Sequence, residues 1–496
     1  MKVIRELFPG APPPLLRVAL YAIAALVFTG VLRPDLYRVG PGSWLEGYSI
    51  LSMDLAMSRA FCGRASEVTP LVSVTTEVSL HQAELGEVPV RRIAADRAGS
   101  LERFCETSTV PRVNNENSLM WLDSWLWHLG PDLSIEGLGR LLHGIRVGGL
   151  LLVFTLMLAN GLGVLVALSS WLWALILLQD LRMYVHHGYP FMLVLLLVTG
   201  SIYATLNRLG WTRPPLRAAL VAVVAGAWSA FAANMRTSHL PVYVLFAIVL
   251  FGLGERQAPK DAWQDRAKRL ALAVVLFVAG FSTFQYLAIT RYLPKDDPTL
   301  SRHTILHSTV IGLGVPESDF SRREQITWSD GDALAIATRL EPGVKYLSAD
   351  YERVLWRYYS GLWRDHTREM LAVYRTKALT AGKHMLMVLR GQGGMQGRVM
   401  YHLMRPLDML PNGLWLLALY LVAGIAGLVH AWRAGGAAIL LVYLSIAAVL
   451  LHLEASIVMS NYVVNYQSFL AFFCVFLTLL VPLSTIGALW DRVARR

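Results

Sequence analysis

The chain runs to 496 residues, 55% of them apolar and 16% charged, with a mean hydropathy of +0.46. A soluble globule carries about 25% charged residues, so this composition excludes one and describes a polytopic membrane protein. The formal net charge of +11 does not imply nucleic acid, because no RNA- or DNA-binding module is legible and much of the excess lies in short loops, where it reads as topology and contact with anionic membrane lipid.

Apolar runs begin at Pro14, Val147, Tyr189, Leu216, Leu240, Leu270, Leu414, Gly436 and Tyr466. Each is of the order of the 17 to 25 residues a helix needs to cross a bilayer. No strand-like alternation is visible, so an all-α fold is expected. The run from Val147 to Gln179 is too long for one crossing and is interrupted at Asn160-Gly161-Leu162-Gly163 and Ser169-Ser170. Read as a helical hairpin, it brings the total to about ten transmembrane helices. Charge supports that parity, since it puts Lys2 and Arg5, Arg208 to Arg217, Arg256 to Arg269, Arg433 and Arg492 to Arg496 on one side, the cytoplasmic one. The run at Pro14 follows Pro12-Pro13 and lacks a clear cleavage site, so it is expected to be a retained helix.

Both termini are then inside and two polar segments face out, residues 33–145 and roughly 293–408. The expected organisation is a transmembrane module at 1–292, a smaller, mainly helical outer domain at 293–408 and a C-terminal three-helix transmembrane segment at 409–496. Cys62 and Cys105 share the first outer segment, where an oxidising exterior allows a disulfide without requiring it. A helix is expected from about Trp44 to Phe61, stopped by Gly63, and the Val/Thr-rich stretch Val72 to Val78 suits a strand. From Glu116 onward, leucines at helical spacing with Trp121, Trp125 and Trp127 predict a helix of about four turns, ended by Gly130-Pro131, that lies on the membrane rather than crossing it.

This order resembles the GT-C superfamily of integral-membrane glycosyltransferases, which take sugar from a polyprenyl-phosphate donor. Glu46-Gly47-Tyr48 looks like that family's early acidic motif, Glu116-Asn117-Ser118-Leu119 like its polar motif and Arg140-Leu141 like the step into the second span. Weaker likeness extends to His186-His187-Gly188-Tyr189-Pro190 and to Gly226 through Arg236. The family more often has Asp than Glu at the first acidic position, often paired with a second carboxylate.

The resemblance implies an inverting glycosyltransferase at the outer face of a bacterial inner membrane, moving sugar from the lipid donor to a glycan, lipid or protein acceptor. Such a reaction needs a carboxylate to orient or deprotonate a hydroxyl and cations to hold the departing phosphate. Glu46 and Glu116 are the catalytic candidates, against a bland reading in which each belongs to a helix start. Tyr48, Asn115, Asn117, Asp180, Arg182, His186, His187, Arg236, His303 and His307 are candidates for donor and substrate contact. No cofactor is required by the motifs, though a divalent metal, Mg or Mn, would suit the chemistry.

In the second outer segment His303 and His307 stand four apart, which on a helix would suit a metal, while Thr304-Ile305-Leu306 would equally suit a strand. Asp330-Gly331-Asp332 reads as a turn before a helix, a long helix is expected from Ser348 to about His384, and Tyr351, Leu355, Tyr358, Leu362 and Trp363 fall on one core-like face. Lys377, Lys383, Arg390, Arg398 and Arg405 could attract an anionic lipid or glycan. Two other functions compete: an O-antigen ligase or polymerase, which would not need the early acidic motif, and a non-catalytic transporter or flippase of lipid-linked sugar, against which the scarcity of charges inside the spans and the lack of a repeat between halves speak.

Overall fold

The structure, a computed structural model, describes residues 47–64, 66–67, 71–107, 110–111, 117–159, 195, 198–202, 205–206, 215–234, 263–288, 305–327, 329–346, 348–390 and 418. These are almost entirely helical, and the chain divides into two compact units, residues 1–295 with 487–496 and residues 296–486.

In the first unit, α1 (Gly47–Cys62) is buried at every residue from Met53 to Arg59. A helix enclosed on all sides has to satisfy its polar side chains inside the protein. The Ser58 hydroxyl donates to the Arg64 carbonyl at 2.9 Å and Arg59 Nη1 to the Ala288 carbonyl at 2.9 Å. Gly63, at φ +69°, stops the helix as expected. Cys62 is disulfide-bonded to Cys105, 43 positions on. A loop of that length would lose about 4 kcal/mol of unfolded-chain entropy to the cross-link. Beside the bond, Arg64 donates to the Cys105 carbonyl at 2.7 Å, and the two-residue strands β1 (Ser66–Glu67) and β2 (Val110–Pro111) pair antiparallel.

The Val72 to Val78 stretch is not a strand but carries α2 (Val74–Leu80). Its β-branched residues are overruled by local hydrogen bonding: Ser73 caps the helix by accepting from Thr76 N, and the Asp54 carboxylate accepts from Thr75 N at 3.2 Å. The short α3 (Gln82–Leu85), α4 (Val90–Ala98) and α5 (Leu101–Thr107) follow, with Phe104 of α5 fully buried.

The Trp-rich segment forms α6 (Asn117–Leu129), close to the bounds expected, and packs against α1. Its three tryptophans divide by environment. Trp127 is buried with its indole N–H donated to the Leu133 carbonyl, Trp121 is half-buried, and Trp125 is exposed. After the Gly130-Pro131 break, α7 (Ile135–Ala159) runs unbroken into the apolar sequence. Arg140, in its second turn, forms a two-pronged pair with Glu87 at 2.5 and 2.8 Å, which holds the Glu87 carboxyl down at about 2.

Two further helices, α8 (Pro215–Ala233) and α9 (Trp263–Ala288), are long and apolar enough to cross a membrane, through Leu216–Ala233 and Ala267–Ala288. Their backbones touch at two glycines. A Cβ on Gly226 would stand 2.0 Å from the Phe277 carbonyl oxygen, and one on Gly280 would stand 2.0 Å from that of Val223. Small residues at such a crossing are how apolar helices gain van der Waals contact without a hydrophobic driving force. The pairing Gly226 to Phe277, Phe231 to Phe284 and Asn234 to Gln285 rises together along both helices, so α8 and α9 are parallel. The apolar run at Leu240, expected as a crossing between them, lies outside the described residues.

In the second unit, α10 (Ile305–Gly312), α11 (Asp319–Glu324), α12 (Asp330–Leu340), α13 (Ala349–Asp365) and α14 (Thr367–Arg390) surround a core that includes Val310, Phe320, Ile336, Tyr351, Leu355 and Leu362. The single helix expected from Ser348 is two, divided at His366. Asp330 and Asp332 open α12 rather than forming a turn before it. Asp332 reaches back to Thr327 N at 2.6 Å, and Ser329 caps the helix in a reciprocal capping box. Tyr351, Leu355 and Leu362 are buried as their periodicity indicated, with Tyr358 and Trp363 packed against them.

Valine at either contact glycine would force the α8 and α9 backbones apart. Gly226→Val and Gly280→Val are each expected to cost about 1–3 kcal/mol in unfolding experiments on the detergent-solubilised protein, whereas Gly144→Val, with open space around it, should cost less.

Candidate functional site

Of the residues the sequence singled out, Glu46, Asn115, Glu116, Asp180, Arg182, His186, His187, Arg236 and His303 lie outside the described residues. Tyr48 and Asn117 are placed by their backbones in α1 and α6. His307 is described in full. The first unit nevertheless brings together the helices on which those motifs stand, because α1 and α6 meet the C-terminal ends of both membrane-length helices.

The last carbonyls of a helix have no partner within it. At the end of α8, Ser118 N of α6 donates to the Asn234 carbonyl at 2.9 Å, and at the end of α9 Arg59 supplies the donor for Ala288. Asn234 Nδ2 also donates to Gln285 Oε1 at 2.6 Å, which ties the two helix ends together. The Ser118 hydroxyl is fully buried and has no hydrogen-bond partner among the described residues. One turn away on α6, Trp121 packs edge-on against Phe231 and Phe284, with ring centroids 6.0 and 5.8 Å apart, and lies parallel to Trp125 at 6.4 Å. The junction thus combines a guanidinium, a hydroxyl and two amides with an aromatic cluster. Ser118 was named within the polar motif and Asn234 lies in the stretch Gly226 through Arg236, but Arg59 and Gln285 carried no sequence signal of their own.

Asp54 is a buried carboxylate that sequence reading missed, although a lone acid in Leu51-Ser52-Met53-Asp54-Leu55-Ala56-Met57 was a visible anomaly. It accepts from the Ser73 hydroxyl at 2.5 Å and from the Thr75 hydroxyl at 2.9 Å as well as from Thr75 N. Burial pushes its carboxyl up to about 6 against the downward pull of those hydrogen bonds. Its role is to hold α2 against α1. Asp123 and Ser124 of α6 are buried in the same unit.

The second unit encloses a separate ionisable cluster. His307 is buried in α10, and that helix settles the strand alternative. Its Nδ1 lies 2.6 Å from the Tyr351 hydroxyl and its Nε2 3.0 Å from Asp330 Oδ1, so both ring nitrogens have polar partners. Next in sequence to Tyr351, Glu352 has a buried Oε1 with no hydrogen-bond partner among the described residues, and burial pushes its carboxyl up to about 7, opposed by His307. Lys377, expected at a surface attracting anions, is instead fully buried. Its ammonium donates to the Gly312 carbonyl at 2.8 Å, and desolvation lowers it to about 7. Among the described residues no three of His, Cys, Asp or Glu stand together in a way that could hold a metal.

No protein-family model, curated protein or solved structure matches the chain.

Both buried groups with opposite signs give measurable pH dependence. The Asp54 carboxyl is raised in the folded state from 3.8 to about 6, so its ionisation opposes folding: the penalty is present in full above about 6, shrinks as pH falls from 6 toward 4 and is gone below both values. Asp54→Asn should remove that component of the pH profile and stabilise the first unit at pH 7.5, whereas Asp54→Ala, which strips acceptors from Thr75 N and two hydroxyls, should cost about 1–3 kcal/mol. For Lys377, lowered from 10.5 to about 7, the folded protein binds fewer protons, so stability rises with pH above 7. Melting curves of wild type and Lys377→Met between pH 6.5 and 9 should therefore show the variant's relative advantage shrinking as pH rises.

Proposed function

We propose that the chain is a polytopic membrane glycosyltransferase of about ten spans. It would transfer a sugar from a polyprenyl-phosphate donor to a glycan, lipid or protein acceptor at the outer face of a bacterial inner membrane. The observation that carries this reading is the junction where α1 and α6, the helices that directly follow Glu46 and Glu116, bond to the ends of two membrane-length helices at Ala288 and Asn234.

Two lines support the outer face. Loop charge makes Asn234 and Ala288 outer ends of their helices, a Cys62–Cys105 disulfide belongs to an oxidising compartment, and the disulfide-bonded segment is the one bonded to those ends. The parallel direction of α8 and α9 supports the same parity, since two outward crossings need one return between them.

In the reaction, the acceptor hydroxyl gives its proton to the Glu46 carboxylate as its oxygen bonds to the anomeric carbon. The bond from that carbon to the phosphate oxygen breaks, and polyprenyl phosphate leaves with the electron pair. Glu116 and Asn117 would orient the sugar, with Tyr48, Asn115, Asp180, Arg182, His186, His187 and Arg236 available for donor contact. A second reading, an O-antigen ligase or polymerase working through the second unit, is favoured by the pairing of the buried His307 with the exposed Asp330 carboxylate.

The deciding assay gives the purified protein, in lipid, a panel of radiolabelled polyprenyl-phosphate sugars with membrane acceptors. Glu46→Gln is expected to abolish transfer, a loss of about 100-fold or more for a general base, while remaining folded and binding donor. Full transfer by Glu46→Ala would sink this reading in favour of the ligase.

A further inference from the structure

The second unit carries a face that its packing does not explain. α13 and α14 fold back on each other at His366, where Tyr374 of α14 stacks on Trp363 with ring centroids 5.7 Å apart and meets the Tyr359 hydroxyl at 2.7 Å. Tyr351, Val354, Leu355 and Leu362 of α13 turn into the core, as do Met370 and Val373 of α14. On the outward side, Arg353, Trp356, Arg357 and Arg364 of α13 and Arg368, Leu371 and Arg375 of α14 are exposed, at the three- and four-residue spacing that sets them on one side of each helix. Trp356 is 58% exposed and Leu371 55%. Neither the stretch 353–364 nor the stretch 370–390 contains an acidic residue.

We infer that this face binds an acidic glycan, with the arginines on its carboxylates and Trp356 against a sugar ring. The role of that glycan rests on the glycosyltransferase reading: it is the acceptor, whose class narrows to an acidic polysaccharide. Charge is available there. Arg368 and Arg375 have no ion-pair partner among the described residues, and Arg353, Arg357 and Arg364 pair with the solvent-accessible Glu341, Asp350 and Asp365. Surface pairs of that kind contribute little and exchange readily for a ligand's carboxylate.

The kind of cation narrows the partner. Every exposed lysine or arginine described on α13 and α14 is an arginine, whose planar fork meets a carboxylate through two parallel hydrogen bonds, whereas a lysine suits any anion. The order of residues decides against a lipid surface. Trp356 stands between Arg353 and Arg357, and Leu371 between Arg368 and Arg375. A helix face that enters a membrane gathers its apolar side chains apart from its cations. Alternation instead matches a chain in which carboxylates alternate with sugar rings, whose C–H faces cover an apolar indole while their hydroxyls stay wet.

The test needs no donor and no transfer. Full-length protein in phosphatidylcholine nanodiscs is titrated with fluorescent oligogalacturonate and followed by anisotropy, with neutral maltooligosaccharide, polyglutamate and phosphatidylglycerol vesicles as competitors. Wild type is expected to bind the uronate chain, and none of the three should displace it at equal concentration. Arg368→Gln combined with Arg375→Gln should weaken binding about tenfold, and Arg368→Lys with Arg375→Lys should not restore it. Trp356→Ala should weaken it as well. Because these side chains are exposed, every variant should melt with wild type.

No uronate binding by wild type, or equal binding by the glutamine pair, overturns the proposal. Full recovery with the lysine pair, or displacement by polyglutamate, overturns it in favour of a general polyanion surface. Displacement by maltooligosaccharide makes the face a neutral-sugar site, and displacement by phosphatidylglycerol vesicles makes it a membrane contact; either overturns it. The two readings fail separately. Uronate binding through these arginines with no transfer from any donor removes the enzyme and keeps the face, whereas transfer by a protein that binds no uronate removes the face and keeps the enzyme.

Discussion

The C-terminal carbonyls of α8 and α9 are the constraint on which the first unit depends. A helix end leaves acceptors that water satisfies only if it can reach them, and at Asn234 and Ala288 donors from α6 and α1 take the place of water. That requirement fixes where α1 and α6 must sit. The disulfide then secures the far end of α1, three residues after Arg59, to α5, and the Asp54 carboxylate secures its middle to α2. A segment with only short helices thereby becomes a rigid cover on two apolar rods.

Most of the helices were legible because periodicity and punctuation agreed. Gly63, Gly130-Pro131 and the leucine spacing of α6 each marked a boundary that the structure keeps. The failures share one cause, which is that tertiary partners were invisible. Val72 to Val78 has the composition of a strand, and only the Asp54 carboxylate and Ser73 cap make it a helix. Lys377 looks like one member of a basic surface, and only the packing of α14 on α10 shows it buried against Gly312. His366 breaks a continuous helical pattern at a position with no glycine or proline to announce it.

The candidate site was legible to a lesser degree. Ser118 lay within the polar motif already singled out and Asn234 within the stretch Gly226 through Arg236, whereas Arg59 and Gln285 are ordinary residues made notable by where separate stretches of chain converge. Convergence of that kind leaves no local pattern. It could be sought in one sequence only as polar residues standing at the predicted outer ends of apolar runs.

The second unit holds two groups whose charged forms burial opposes. Desolvation lowers the Lys377 ammonium to about 7 and raises the Glu352 carboxyl to about 7, so each is less readily charged there than on the surface.

The parallel direction of α8 and α9 also bears on how the protein is made. Antiparallel neighbours can pair as a hairpin while the chain is still emerging, but α8 has to wait, with its Gly226 groove uncovered, until everything up to Ala288 has been synthesised. The carbonyls that anchor α1 and α6 are complete only then. The disulfide-bearing loop, although made first, acquires its second attachment last, so a ribosome halted between the two helices would leave the cover formed but not seated.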